Sequence, residues 1–121
     1  VSSADLAETI ESLLSEAERQ EPVSFRLGTP VLPEGGAVRR LVELGAEAVP
    51  HLVEATRRED SSRRLAYVAL ALGRIGDPSA AGPLRELRAR CRQRPPRDEW
   101  DHAVVGQCNV AIDRLGADPR S

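Results

Sequence analysis

The chain has 121 residues, 40% of them hydrophobic and 30% charged, with a formal net charge of −2. That length supports one domain, and the near-balance of 17 basic and 19 acidic residues excludes a strongly polycationic nucleic-acid binder. Only Phe25, Tyr67 and Trp100 are aromatic, so the core must be built from Leu, Val, Ile and Ala, which suits helical bundles and solenoids better than a β-sandwich.

The first element is predicted from about Ala4 to Gln20. Leu6, Ile10, Leu13, Leu14 and Ala17 fall on one stripe of an amphipathic helix. Ser2 or Ser3 is a candidate N-cap, and Asp5 and Glu8 favour the positive end of the helix dipole. Residues 21–36 carry three Pro and three Gly, which forbid a continuous helix. Val23, Phe25, Leu27, Val31 and Leu32 predict an extended segment laid against a neighbouring surface. A connection of that length is either functional or a joint between packing units.

From Ala37 the chain reads as helices with short breaks. Val38, Leu41 and Val42 form a stripe that ends at Gly45. Val49, Leu52 and Val53 begin the next helix, with Pro50 in the first turn, where its missing N–H costs nothing. Asp60, Ser61 and Ser62 offer caps for a third helix, whose stripe is Leu65, Val68, Ala69, Leu72 and Ile75 before Gly76. Asp77 and Pro78 start another, buried through Leu84, Leu87 and Cys91. After the break at Arg94–Arg97, Asp98 caps a last helix, with Trp100, Val104, Cys108, Ala111, Ile112 and Leu115 on its inner side and Gly116 at its end.

Three phrases repeat: LVELGAEAVPHLVEA at 41–55, LGRIGDPSAAGPLRELRA at 72–89 and AIDRLGADPRS at 111–121. Gly45 and Gly76 are 31 residues apart, and Gly76 and Gly116 are 40 apart. Two helices in a period of this length mark an α-solenoid. The phrase from Leu72 to Ala80, with Pro83 and Leu84 after it, resembles the HEAT-repeat signature of the short bacterial variety found in phycobilin lyases and their relatives. The resemblance extends over about residues 37–121. It implies an all-α fold, a short solenoid of about six helices. Residues 1–36 then read as an N-terminal cap or arm on the 37–121 repeats, within one compact domain. In Gly76-Asp77-Pro78 the roles are structural: glycine ends one helix, and aspartate and proline begin the next.

Little points to catalysis. His51 and His102 stand in no motif. The spacings of Cys91, His102 and Cys108 match no zinc pattern, and the two thiols lie on apolar stripes. No phosphate-binding loop is present. The expectation is therefore a chain that is not an enzyme and carries no cofactor or metal.

The most pointed feature is charge. Residues 1–34 hold seven acids and two Arg, residues 35–97 seven acids and thirteen Arg, and residues 98–121 five acids and two Arg. Arg85, Arg88 and Arg92 share a helical flank, with Arg90, Arg94 and Arg97 close by. The HEAT resemblance puts the second helix of each pair on the concave surface, and so adds Arg57 and Arg58. The expected function is protein–protein interaction, as a scaffold, adaptor or accessory subunit. Arg57, Arg58, Arg85, Arg88 and Arg92 would engage an acidic partner, with Phe25 and Trp100 as further contact candidates. Self-association through an exposed repeat end is a second mode of contact. Two alternatives stand beside it. One is a nucleic-acid-binding HEAT-like protein, which the absence of Lys and the scarcity of aromatics disfavour. The other is a subunit of a tetrapyrrole (bilin) lyase, which the repeat family allows. Two cysteines are not a disulfide framework. No run of residues approaches a membrane span, so the expected location is the cytoplasm.

Overall fold

The computed structural model describes residues 3–20, 24–26, 29–32 and 35–116. Helix α1 runs Ser3–Glu18, and two short strands follow, β1 at Ser24–Arg26 and β2 at Thr29–Val31. Then come α2 (Gly36–Leu44), α3 (Val49–Arg58), α4 (Ser62–Ile75), α5 (Ala81–Arg92) and α6 (Glu99–Leu115). The fold is all-α, a short HEAT-like solenoid. Helices α2, α4 and α6 pack side by side as one layer, and α3 and α5 lie together as a second. Helix α1 covers α2, α4 and α3.

The expected extended segment is present but has more order than its prolines suggested. Strands β1 and β2 pair antiparallel with Phe25 opposite Pro30, and β2 lies against α6. A two-stranded ribbon is marginal in water by itself, and α6 gives this one a surface to rest on.

Local chemistry explains several helix ends. The Ser61 hydroxyl accepts from the Arg64 amide at the start of α4, and the Asp98 carboxylate accepts from the Trp100 amide at 2.9 Å at the start of α6. Asp77 accepts from the Ser79 amide at 2.9 Å, so it caps a 3₁₀ turn at Pro78–Ala80 that leads into α5. That bond holds the Asp77 carboxyl below its usual range. Gly76 ends α4 in the left-handed conformation, at φ 81°, where a Cβ would be strained. At α6 Gly116 does not need that freedom, since its φ is −85°. The cap assigned to Ser2 lies outside the described residues.

One apolar cluster runs from Ile10 in α1 to Leu115 in α6. Leu14, Leu41, Leu52, Leu72, Leu84 and Leu87 are fully buried within it, each worth about 1.5–3 kcal/mol of transfer free energy. Helices α4 and α6 approach closely. A Cβ on Gly73 would stand 2.7 Å from the Ala111 Cβ and 2.9 Å from its Cα, so the missing side chain is what lets the two backbones meet.

Candidate protein-interaction surface

The arginine run of α5 does not behave as a single ridge. Arg88 donates from Nη1 to the Asn109 Oδ1 at 2.9 Å, which ties its flank of α5 to α6. Arg90 points the other way. Its guanidinium donates to the Thr56 and Arg57 carbonyls at the end of α3. The last carbonyls of a helix lack intrahelical partners and carry partial negative charge, so a guanidinium there satisfies both needs.

Arg94 and Arg97 close on Asp101. This carboxylate is 3% exposed, in the first turn of α6. Its Oδ2 accepts from the Arg94 Nη1 at 2.9 Å and from the Arg97 amide at 2.7 Å. Its Oδ1 accepts from the buried Ser62 hydroxyl, at the start of α4. The Arg97 Nη2 also donates to the Ser62 Oγ at 2.7 Å and to the Asp60 carbonyl at 3.2 Å. Burial alone would raise the carboxyl pKa, but the Arg97 amide, the Ser62 hydroxyl and the two guanidiniums hold it well below the usual carboxylate range. Asp101 therefore latches the starts of α4 and α6 to the turn between α5 and α6. Sequence reasoning missed it. The Arg97–Asp101 spacing of i, i+4 was a visible signal, but the burial that gives it weight was not.

A buried cation works in the same first turn of α4. Arg64 is 9% exposed and bridges α4 to α1. It pairs with Glu11, with Glu18 at 2.8 Å and with the Ser15 hydroxyl at 2.7 Å. Its hydrogen bond to Glu18 outweighs the opposing effect of burial and raises its pKa further. The neighbouring Arg63 donates to the Gln20 carbonyl and stacks 4.8 Å above the Trp100 ring.

That stacking corrects one expectation. Trp100 is 9% exposed, and its ring centroid lies 6.5 Å from that of Tyr67, so it is a core residue and not a surface contact. Apolar area gained inside explains the choice, since an indole half-covered by a guanidinium has little face left for a partner. Arg88, another contact candidate, is half-buried and engaged with Asn109. Phe25 has its backbone in β1, and its side chain lies outside the described residues.

Four candidates remain outward. Arg57, Arg58, Arg85 and Arg92 are exposed, and no hydrogen bond or ion pair to their guanidiniums is formed among the described residues. They do not form one strip. Arg57 borders a recess of about 180 Å³ with Arg90, Arg94 and Arg97, where Glu59 and Asp60 contribute opposite charge. Arg85 and Arg92 lie on the flank of α5 that carries Arg88 toward α6.

The groups considered for catalysis stay apart. Among the described residues no three His, Cys, Asp or Glu gather into a metal-binding group. Burial pushes the Cys91 thiol up, and the Cys108 thiol is pushed up to about 12, so both are poor nucleophiles at neutral pH. No helix among the described residues is long and apolar enough to cross a membrane.

Residues 65–89 match the family model described as PBS lyase HEAT-like repeat. The match takes in most of α4, the Gly76-Asp77-Pro78 turn and α5 as far as Ala89. No curated protein and no solved structure matches the chain.

Proposed function

We propose that this HEAT-like repeat protein is a non-catalytic interaction module, a scaffold, adaptor or accessory subunit that binds an acidic protein partner. The observation that carries the reading is the sorting of the arginines. Arg64, Arg88, Arg90, Arg94 and Arg97 are spent on internal carboxylates, carbonyls and an amide oxygen. Arg57, Arg58, Arg85 and Arg92 stand on the surface of α3 and α5 without such partners among the described residues. A fold that pairs most of its inner guanidiniums and leaves these four exposed on α3 and α5, with Arg39 and Arg114 exposed elsewhere, carries positive charge on its helical surface. HEAT-like stacks work through such extended helical faces. The two free, buried cysteines support the reading of a reducing compartment such as the cytoplasm.

The test is capture on the immobilised chain, with bound proteins identified, for the wild type and for a variant with Arg57, Arg58, Arg85 and Arg92 all changed to Gln. The expected result is a discrete acidic protein bound by the wild type, released by salt and lost in the variant. Binding to duplex DNA that matches or exceeds protein binding would overturn the reading. So would capture that is indifferent to the four changes.

A further inference from the structure

Helix α4 receives α6 on a face of small residues. Ala66, Ala69 and Gly73 lie at i, i+3 and i+7, Ala66 and Ala69 are fully buried, and Gly73 admits Ala111. Counted back from the glycines that end the two helices, Gly76 and Gly116, each position of α4 corresponds to one forty residues later on α6. Ala66 therefore corresponds to Gly106 and Ala69 to Asn109. On α6 this face is open. Gly106 is exposed, and a Cβ built there meets nothing within 4 Å. A mid-helix glycine lowers helix stability, and no neighbour within the described residues needs its small size.

Beside this position runs a groove of about 400 Å³ between α5 and α6. Val105, Gly106 and Asn109 form one side, and Arg92, Arg94 and His102 stand around it. Arg85 continues the basic flank of α5 about two turns before Arg92, beyond the groove's lining. The α6 backbone spends its amides and carbonyls within the helix, so the groove offers no ladder to an extended strand. It offers a shallow seat for a helix and a cationic wall for that helix's charges.

We propose that the groove between α5 and α6 seats one acidic α-helix of a partner protein, lying close over Gly106 with its carboxylates against Arg85 and Arg92. This rests on the proposed reading of the chain as a binder of acidic proteins, and adds the seat and the form of the occupant. The chain's own acidic helix is a poorer occupant. In α1, Glu11 and Glu18 are paired with Arg64, and Glu16 faces Arg40 at 3.9 Å.

The experiment uses the full chain and three labelled peptides of about five helical turns each. The first is an amphipathic Ala/Leu helix with Glu flanks. The second has the same charges but two central prolines. The third carries Lys in place of Glu. Fluorescence anisotropy reads affinity, circular dichroism reads folding, and sedimentation reads self-association. The helical Glu peptide is expected to bind at least tenfold more tightly than the other two. Gly106→Leu is expected to weaken it tenfold or more while leaving the fold intact, since the site is exposed and leucine favours helix. The double change Arg85→Glu and Arg92→Glu, which fills no space, is expected to weaken it to a similar degree.

Equal binding of the helical and proline-broken Glu peptides, unmoved by Gly106→Leu, overturns the seat and leaves the acidic-partner reading standing. Failure of both Glu peptides to bind overturns the seat and that reading together. A dimer of the chain alone that dissociates on Gly106→Leu overturns the partner assignment, because the groove then holds a second copy.

Discussion

Gly73 and Gly106 occupy the same side of two helices in one stack, and they meet opposite surroundings. At Gly73, α4 is closed against α6, with Ala111 where a side chain would go. At Gly106, α6 is open, with a groove beside it. A glycine in a helix has one intrinsic cost, and tertiary context decides whether that cost permits a contact. The buried charges hold the frame around both regions, and Asp101 and Arg94 also line the groove. Asp101 binds the starts of α4 and α6 together, and Arg64 fastens α1 to α4. The open region carries Arg85 and Arg92, which have no ion-pair partner among the described residues. The difference teaches that the same residue types serve stability where they are paired and face solvent where they are not.

The strongest way to break the closed side is Asp101→Asn. Removing one partner of a buried ionic cluster costs about 3–5 kcal/mol, and the low end applies here because Arg94 and Arg97 are partly solvated. Thermal unfolding at pH 7 should show a large fall in Tm. The pH dependence follows from linkage. The folded carboxyl lies below its unfolded value, so its stabilisation is full above the unfolded pKa of about 4 and fades as pH falls below it. The gap in Tm between wild type and Asp101→Asn should hold from pH 7 to pH 5 and narrow below pH 4.

Gly73→Val attacks the same interface by volume. Overpacking costs about 1–3 kcal/mol, and the atoms in the way are backbone as well as the Ala111 methyl. Urea unfolding should give a lower midpoint with little change in slope. The opposite sign is expected at Tyr67, whose buried hydroxyl has no hydrogen-bond partner among the described residues. Tyr67→Phe removes an unsatisfied group and should gain up to about 1 kcal/mol, read from the same urea curves.

Gly106→Ala sharpens the comparison from the open side. With nothing near the new methyl, only helix propensity acts, and stability should rise by about 0.8 kcal/mol. A fall would mean that the site is not open in solution. The smallest effect is expected of a thiol reagent at pH 7. Cys91 and Cys108 are buried with raised pKa values, so labelling should be slow in the native chain and fast in denaturant.

The sequence by itself determined the local structure. Apolar periodicity placed the six helices, and Gly45, Gly76, Asp77, Asp98 and Pro50 marked their ends, because caps and stripes are short-range physics. The repeated phrase pointed to a HEAT-like repeat, and the family match at residues 65–89 supports it. Composition showed where arginine is dense, but the single ridge expected there is split, with Arg88 and Arg90 turned to internal partners.

What only the tertiary structure decided is which arginine faces what. Arg88, Arg90 and Arg92 stand two residues apart in sequence. One bonds an amide on α6, one caps the carbonyls of α3, and one is left to solvent. Trp100 and Asp101 were likewise ordinary first-turn residues until Arg63 covered the one and two guanidiniums enclosed the other. Burial and pairing across the fold are long-range properties, and they set the energy of a charge far more strongly than its place along the chain.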